Sequence, residues 1–388
     1  MDSPTPSPAK VLTRRRLLLT ASGTVGLSLL AAACAPQRAA APAQSAAPTS
    51  APAAAPAAPV APAAAKDAAK PAAPAQAGGS STVLKFSHVV AKNTPKHKAA
   101  EEFAKLVKEK SNGRLEVQVF ANSELYKDGE EIEALQSGAI HFIAPGTDKF
   151  GVIAVQWEAT TLPYVFTSQD AVNKFLDPKN EVAQGLHEQL RSKGLLGLAV
   201  WNNGFKHFTT SKRPLKTPAD FQGLKFRTSG KPDESFVKAL GGSAQVMAFS
   251  EVFGALQQGV VDGQTNTWSN IFTQKFHEVQ KYGTISRGGT LLTYGVATNA
   301  KWFDGLDADS KKVIADSMAA ATVFNNKIAD DENLTGFDEI KKSGRLELYE
   351  QTEADLPGFI KAAEVVWKEW EPKTGKEIIE KLRALNNK

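Results

Sequence analysis

Apolar and polar residues follow two patterns that take turns along residues 83–388. One is the every-second-residue spacing of a half-buried strand, and the other is the three-to-four-residue spacing of a helix face. These patterns predict, in order, a strand at 83–87, a helix opening at Pro95, a strand at 115–120, a helix at 130–137, a strand at 139–144 and a helical stretch over about 169–193. An alternating order of this kind is typical of a mostly parallel sheet with helices on both faces, so the sequence predicts an α/β protein.

A change of character at residues 202–210 divides the chain into two predicted domains. These residues are polar and contain glycine, which favours a hinge leading out of a strand at 195–201. A strand at 291–297 is predicted to return to the first domain, and a long amphipathic helix is predicted from 307 to about 336. The predicted limits are 81–203 with 292–331 for domain I, and 204–291 with 332–388 for domain II. Because the chain crosses more than once, a ligand cleft is expected between the domains.

The stretch from Gly223 to Asn270 is the most informative, because polar groups fall where its strands end. It predicts a strand at 224–227, a helix stopped by Gly241-Gly242, a strand at 246–249, a helix capped by Ser250 and a turn at Asp262-Gly263. Ligands of alternating α/β units bind in the crevice outside the carboxyl ends of the strands. Arg227 closes the first of these strands, and Gln264 to Asn266 follow the turn, so they are candidate binding residues.

The first 80 residues differ in composition from the rest and predict an export signal followed by a tether. Three arginines at 14–16 run into an apolar segment of 17 residues, which is short for a membrane span and fits a removable signal within residues 1–34. The arginines resemble a twin-arginine export signal, with an ordinary secretory signal as the alternative. Residues 35–80 are nearly all Ala and Pro, which predicts a disordered, semi-rigid tether.

Cys34, the single cysteine, stands where the apolar segment ends. The preceding Leu and Ala residues resemble a bacterial lipobox, in which the cysteine becomes the lipidated first residue; plain cleavage that leaves a free thiol is the alternative. A lipid-anchored domain needs the reach that the tether supplies. We therefore predict a periplasmic or cell-surface protein that meets the membrane only through a lipid at Cys34, and whose folded part has no disulfide.

Charge and composition exclude several classes of function. The formal net charge is +5, and the leader supplies a large part of it, so the folded part is close to neutral and presents no basic face for nucleic acid. The six histidines show no metal-ligand spacing, and the only cysteine lies in the leader. We predict no metal site, no cofactor and no nucleic-acid partner.

Several stretches together resemble one known family over nearly all of residues 83–388. They include Asn93-Thr94-Pro95, Leu162-Pro163-Tyr164-Val165-Phe166, Gly223-Leu224-Lys225-Phe226-Arg227, Met247-Ala248-Phe249-Ser250-Glu251-Val252 and Val260-Val261-Asp262-Gly263-Gln264. The chain resembles the DctP-type solute-binding proteins of TRAP transporters. The resemblance implies a two-domain periplasmic binding protein fold, with mixed sheets flanked by helices and a ligand cleft between the domains. It also implies a receptor that closes on an organic acid and delivers it to a separate membrane permease.

The resemblance assigns roles to residues that match the family's motifs. The arginine that ends the Gly-Leu-Lys-x-Arg strand, here Arg227, pairs with a substrate carboxylate, and Asn266 helps to hold the same group. Lys206 stands where the family often has an arginine that contacts the ligand. The branch that binds C4-dicarboxylates often carries lysine there and the Asn-Thr-Trp-Ser-Asn sequence found here at 266–270. The family's usual glutamate is replaced by Thr265, which leaves the substrate open.

One arginine cannot account for tight binding. A hydrogen bond to a charged group contributes about 1.5–3 kcal/mol net, whereas micromolar affinity needs about 8 kcal/mol. We therefore expect the rest of the binding free energy to come from cleft closure and from contacts with Asn93, Asn266, Trp268 and Tyr164. Trp268 and Tyr164 fit core positions at least as well as cleft walls, and Lys206 fits a solvated strand position.

Two other classes of function remain open. A sensing module would present an organic acid to a signalling partner instead of a permease. An enzyme on a periplasmic-binding-like fold would need a nucleophile with its base, a carboxylate pair or a metal set, and no motif groups such residues. A non-enzymatic receptor for an organic acid, with C4-dicarboxylates favoured, is the leading prediction.

Overall fold

The computed structural model describes residues 81–387, which contain eleven strands and eleven α-helices. The strands are β1 (Thr82–Ser87), β2 (Leu115–Phe120), β3 (Phe142–Ile143), β4 (Leu195–Phe205), β5 (His207–Thr210), β6 (Lys225–Thr228), β7 (Ser243–Val246), β8 (Gly263–Asn266), β9 (Tyr282–Ile285), β10 (Leu291–Asn299) and β11 (Glu347–Glu350). The helices are α1 (Pro95–Lys110), α2 (Glu130–Ser137), α3 (Gln169–Leu176), α4 (Glu181–Arg191), α5 (Lys231–Ala239), α6 (Val252–Gln257), α7 (Trp268–Thr273), α8 (Ala300–Asp304), α9 (Ala308–Ser343), α10 (Leu356–Thr374) and α11 (Lys376–Ala384). The predicted leader, tether and lipidation site lie outside the described residues.

The strands form two separate mixed sheets. The first has the order β2-β1-β3-β10-β4, in which β1 is parallel to β2 and β3 while β10 is antiparallel to β3 and β4. The second has the order β11-β9-β5-β8-β6-β7, in which β6 is parallel to β7 and β8 and only β5 is antiparallel to its neighbours. We call the first sheet with its helices α1, α2, α4 and α8 lobe I, and the second sheet with α5, α6 and α7 lobe II. The predicted fold class, mixed sheets flanked by helices, is confirmed.

The chain passes from one sheet to the other at a single residue. Strand β4 ends at Phe205 and β5 begins at His207, so only Lys206 lies between a strand of lobe I and a strand of lobe II. The hinge predicted at 202–210 is wrong, because residues 202–205 continue β4 beside β10 and residues 207–210 form β5. The chain returns to lobe I through β10, close to the strand predicted at 291–297.

Helix α9 ties the two lobes together. It packs on α1 and β4 of lobe I and on α7 of lobe II. The close approach to α7 depends on Gly336, because a Cβ there would lie 3.0 Å from the backbone oxygen of Trp268. The domain limit predicted at 331 falls inside α9, which is continuous to Ser343. The domain limits therefore stay a prediction.

Three predicted elements differ from the structure for local reasons. The strand predicted at 139–144 is reduced to β3, since it pairs with β1 over only two residues before Pro145. The helix predicted over 169–193 is two helices. Helix α3 ends at Leu176, two residues before Pro178, which cannot continue a helix, and the Asn180 side chain caps α4.

The strand predicted at 246–249 is wrong. Strand β7 ends at Val246, opposite the last residue of β6, and Phe249–Glu251 form a 3-10 helix. Ser250 lies within this 3-10 helix, and Glu251 is the residue that precedes α6. The residues predicted to follow a turn form β8 itself, so Asn266 ends a strand.

The core of lobe I holds helix α1 in position for the site. Phe86, Phe103, Phe142 and Trp201 are fully buried and their rings lie 5.0–6.1 Å apart. Burial of a side chain of this size stabilises the fold by about 1.5–3 kcal/mol. The Thr94 side chain caps α1, and Pro95 opens it, which fixes Lys96 in the first turn. Among residues 81–387, no helix has the length and apolar character needed to cross a bilayer.

Candidate functional site

A cavity lies between the two lobes, beyond the carboxyl ends of strands from both sheets. The cavity has a volume of about 40 Å³. Its walls are formed by Val89, Val90, Lys96, Asp128, Gly146, Asp148, Lys149, Arg227, Ser229, Phe249, Asn266, Asn270, Leu292 and Tyr294. Residues of the wall follow β1, β3, β6 and β8, which is the position that the strand-end rule predicts.

Arg227 is the main cation of the lobe II wall. Strand β6 is held between β7 and β8, so the position of Arg227 is fixed on both sides. Its Nε and Nη2 donate to the backbone oxygen of Met247 at 3.1 and 2.9 Å, and the side chain is buried. Nη1 makes no hydrogen bond within residues 81–387. Burial lowers the pKa of Arg227, opposed by Asp128 among other acids, but a guanidinium stays charged. One edge of the fork is therefore anchored, and Nη1 is free to donate.

Asn266 belongs to a chain of hydrogen bonds that crosses from lobe II to lobe I. Its Oδ1 accepts from the backbone N–H of Thr267 at 3.0 Å and from Nδ2 of Asn270 at 2.9 Å. Asn270 Nδ2 also donates to the hydroxyl of Tyr294 at 3.2 Å, and Tyr294 lies on β10 of lobe I. The oxygen of Asn266 is thus occupied, and its Nδ2 makes no hydrogen bond within the described chain. Asn266 can therefore present a neutral donor to a ligand.

Lys96 is a cation of the lobe I wall that the sequence predictions missed. It is fully buried, its Nζ donates to the backbone oxygen of Ala144 at 2.8 Å, and the Nζ lies 3.8 Å from the centroid of the Tyr294 ring. Burial lowers the pKa of Lys96 to about 8, although Glu131, Asp128 and other acids oppose this. Lys96 lies one residue beyond the motif that includes Asn93, in the first turn of the helix that follows β1. Its nearness to that motif is the only signal in the sequence that could have selected it.

Three acidic side chains accompany these cations. Asp128 of lobe I accepts from the backbone N–H of Phe249 in lobe II at 2.7 Å and lies 3.9 Å from Nη2 of Arg227. Burial raises the pKa of Asp148, but Lys149, Lys206 and Arg227 outweigh that effect, so its pKa is below the usual value. Glu131 lies behind the wall, and burial raises its pKa to about 8 although Lys96 lowers it. Asp148 is thus an anion at neutral pH, and Glu131 is largely protonated.

Contacts between the lobes surround the cavity. Lys149 donates to the backbone oxygen of Ser229, and the exposed Lys127 pairs with Glu251 at 2.9 Å. Together with the Asp128 and Asn270 hydrogen bonds, these contacts link lobe I to lobe II on several sides of the cavity. The arrangement is that of two lobes closed on each other.

Lys206 lies next to this site and not in its wall. Its Nζ donates to Ser229 Oγ at 2.9 Å and to Asp233 Oδ2 at 2.5 Å, and both charged side chains are almost completely buried. Because Asp233 compensates its charge, Lys206 affects the cavity mainly through its field on Asp148. Lys206 is not among the residues that line the cavity, and its contact with a ligand stays a prediction.

The other three predicted residues are not brought to the cavity. Asn93 is exposed in the loop before α1. Trp268 is buried in lobe II, where it stacks on His207 at 4.6 Å and packs against Phe337 at 5.0 Å. Tyr164 is buried with its ring 6.2 Å from Phe236. For both aromatic residues the structure corresponds to the core alternative.

Within residues 81–387, no group of three or more His, Cys, Asp or Glu side chains is arranged to hold a metal ion. The donors around the cavity are instead cations, amides and hydroxyls, together with two acceptor carboxylates. Such a set is suited to an anionic organic ligand that also carries polar substituents.

Two α/β lobes that close on a charged cavity define this chain as a solute-binding protein. Residues 86–373 match the protein family DctP, which is described as "Bacterial extracellular solute-binding protein, family 7". The chain belongs to this family, the DctP-type solute-binding proteins of TRAP transporters.

Named relatives agree with this assignment. The chain is 44% identical over 304 residues to the "C4-dicarboxylate-binding periplasmic protein DctP" of Rhodobacter capsulatus, covering 78% of this chain and 90% of that protein. It is 40% identical over 305 residues to the "C4-dicarboxylate-binding protein DctB" of Bacillus subtilis (strain 168), covering 78% and 86%. A crystal structure of a TRAP periplasmic solute binding protein from Shewanella oneidensis with bound succinate has 36% identity and a TM-score of 0.76, covering 79% of this chain and 100% of that one. The predicted family and two-domain fold are confirmed.

Proposed function

We propose that this protein is the extracytoplasmic receptor of a TRAP transporter and that it binds a C4-dicarboxylate. The observation that carries the proposal is a pair of buried cations in one cavity, Arg227 from lobe II and Lys96 from lobe I. A diacid can place one carboxylate on each cation, so binding would pull the lobes together. Delivery to a membrane permease is part of the proposal, because the family's receptors act in transport.

Arg227 and Lys96 are suited to different roles in binding the two carboxylates. Arginine offers a planar fork that matches a carboxylate, and the anchoring of Arg227 on Met247 fixes the orientation of that fork. Lysine is a compact point charge that tolerates different positions of the second carboxylate. Asn266 adds a neutral donor beside Arg227. The names of the relatives support a C4-diacid, since two of them are called C4-dicarboxylate-binding proteins and a third was crystallised with succinate.

The energetics support a diacid over a monoacid. Two charged hydrogen bonds contribute about 3–6 kcal/mol together, against about 8 kcal/mol for micromolar affinity. Asn266 and the contacts formed on closure would supply the remainder. A monoacid would use only one of the two cations and leave the other buried without its partner, which is costly.

Calorimetric titration tests the proposal. We expect succinate, fumarate or malate to bind at micromolar concentration, and butyrate, which has the same chain length but one carboxylate, to bind at least about tenfold more weakly. Arg227→Ala should abolish binding. Arg287→Ala removes an exposed arginine paired with Glu353 and is the matched control, which should bind as the wild type does. Unchanged binding in Arg227→Ala, or equal binding of butyrate and succinate, would contradict the proposal.

We also propose that the protein is exported and anchored by a lipid at Cys34. The support is the sequence pattern alone, since these residues lie outside the described chain. Metabolic labelling with a radioactive fatty acid tests it: wild-type protein should carry label and Cys34→Ser should not. Equal labelling of both proteins would contradict the anchor and leave the binding proposal untouched.

A further inference from the structure

One carboxylate in the cavity wall has no role in the proposal so far. Asp148 lies in the 3-10 helix Thr147–Val152 that follows β3 in lobe I, and its side chain reaches the boundary with lobe II. There it lies against two glycines, one from each lobe. A Cβ added at Gly230 would lie 2.5 Å from Oδ2, and one at Gly146 would collide with Oδ1. The Asp148 carboxylate therefore occupies space that is open only because both Gly146 and Gly230 lack a side chain.

Both carboxylate oxygens of Asp148 are buried, and neither accepts a hydrogen bond of normal geometry within residues 81–387. The hydroxyl of Ser229 lies close enough to help lower the pKa of Asp148, but it donates its proton to Asp233. The neighbouring acids differ in this respect. Asp128 accepts from the N–H of Phe249, and Asp233 accepts from Lys206 and Ser229. A buried acceptor without a donor costs about 1–3 kcal/mol, more for a charged group. Asp148 is therefore poised to accept a hydrogen bond from something that enters the cavity.

A purely structural role as a counter-ion does not account for this placement. Lys149 and Lys206, whose charges lower the pKa of Asp148, each have another partner: Lys206 pairs with Asp233, and Lys149 donates to the backbone oxygen of Ser229. Within the described part of the chain, Asp148 forms no ion pair. Its charge instead acts on both Arg227 and Lys96, the cations proposed for the two ends of the ligand. Asp148 thus faces the region that the middle of a diacid would cross.

We propose that Asp148 is a specificity-determining residue that accepts a hydrogen bond from a donor on the carbon chain of the ligand. The site then selects a hydroxy-diacid over the unsubstituted diacid. This inference rests on the proposed function. The physical reason is that a carboxylate repels a ligand offering only acceptors, whereas a hydroxyl between the two ligand carboxylates satisfies it. A site built to bind a hydroxyl rejects the analogue without one, because its own polar group is left unpaired.

The test compares malate with succinate, which differ by one hydroxyl. Calorimetric titration of the full chain should give a dissociation constant for the preferred malate enantiomer at least about tenfold below that for succinate. Asp148→Ala should bring this ratio close to one. Asp148→Asn keeps an acceptor oxygen without the charge, so it should strengthen binding of both acids and retain part of the ratio. Thermal melting verifies that both variants fold.

Glu251→Gln is the control, because it removes an exposed acid at the boundary between the lobes and leaves the cavity unchanged. It should leave the malate-to-succinate ratio as in the wild type. A ratio that Asp148→Ala leaves unchanged, or a wild-type preference for succinate, would overturn the role of Asp148 while the diacid receptor stands. If the wild type binds neither acid, the proposed function and this inference both fail.

Discussion

The two walls of the cavity hold their charges in different ways. In the lobe II wall, Arg227 is anchored on a backbone oxygen, and Asn266 and Asn270 are neutral amides joined to each other. In the lobe I wall, the charged groups are Lys96, Lys149, Asp128 and Asp148, with Glu131 behind them. The charges of lobe II are permanent and fixed in position, whereas two charges of lobe I titrate near neutral pH because they are buried.

This difference suggests a division of labour between the lobes. The lobe II wall offers a fork of donors whose geometry does not depend on the lobe I wall, so it can orient one carboxylate before the lobes close. The lobe I wall carries a lysine with a lowered pKa and two acceptor carboxylates, so it can distinguish what the rest of the ligand carries. We therefore expect lobe II to recognise that a ligand is an acid and lobe I to recognise which acid it is.

Within the lobe I wall, the largest expected effect comes from removing the charge of Lys96. Lys96→Met keeps the length of the side chain but loses the charge, so a charged hydrogen bond of about 1.5–3 kcal/mol to the second carboxylate disappears. Succinate affinity should fall about 10–150-fold, while the weak binding of butyrate, which depends on Arg227, should not decrease.

Calorimetry of both ligands measures this difference. Lys98→Met is the matched control, since Lys98 lies two residues further along α1 and pairs on the surface with Glu332. A parallel loss of succinate and butyrate affinity in Lys96→Met would contradict the division of labour.

The dependence of succinate affinity on pH reports on the lobe I wall alone, because its charges titrate and those of lobe II do not. Burial lowers the pKa of Lys96 to about 8, so the lysine is charged below that pH and loses its charge above it. Burial also raises the pKa of Glu131 to about 8, so this acid becomes negative over the same range. Both changes disfavour an anionic ligand as pH rises. Succinate affinity should therefore stay constant between pH 6 and 7 and decrease above pH 8, by up to about tenfold per pH unit for each of the two groups.

The experiment is a series of titrations from pH 6 to 9.5. Lys96→Met should remove much of the pH dependence, and Glu131→Gln should reduce it. A flat profile for the wild type would show that neither group titrates in this range when the ligand binds.

The same difference explains which parts of the site the sequence could predict. Arg227 and Asn266 lie at strand ends within recognisable motifs, where the strand-end rule selects them, and both line the cavity. Lys96 and Asp148 lie several residues beyond the ends of β1 and β3, in the first turn of α1 and in the 3-10 helix Thr147–Val152, where charged residues are ordinary surface residues in a sequence. Their importance comes from burial, which only the packing of the two lobes creates.

The two aromatic residues predicted as possible cleft walls, Trp268 and Tyr164, lie away from the cavity for a related reason. Trp268 lies within the motif that contains Asn266, but it follows a strand end by two residues and its ring enters the core against His207. The sequence predicted the α/β elements well, because periodicity and capping are local. It could not predict that β4 continues through the supposed hinge, because that depends on pairing with β10, nearly 90 residues away in the chain.

A smaller effect is expected where the two walls meet. The hydroxyl of Tyr294 on lobe I accepts from Asn270 on lobe II, and the Tyr294 ring lies under Lys96. Tyr294→Phe keeps the ring and loses only the hydrogen bond between the lobes, which is worth about 0.5–1.5 kcal/mol. All diacids should lose affinity by the same factor, about 2–12-fold, because closure is weakened and recognition is not. A loss confined to malate or to succinate would mean that the tyrosine contacts the ligand.

The smallest effect is expected at the exposed ion pair between Lys127 and Glu251, whose side chains are each 51% exposed. Such a pair is worth about 0–1 kcal/mol and is screened by salt. Glu251→Gln should therefore reduce diacid affinity by less than about fivefold, and the reduction should vanish at about 0.5 M salt, whereas the effect of Tyr294→Phe should persist because its partner is buried. Titration of both variants at low and high salt separates the two cases. If Glu251→Gln costs more than Tyr294→Phe at high salt, closure is governed by the exposed rim, and the buried walls of the cavity act on ligand choice alone.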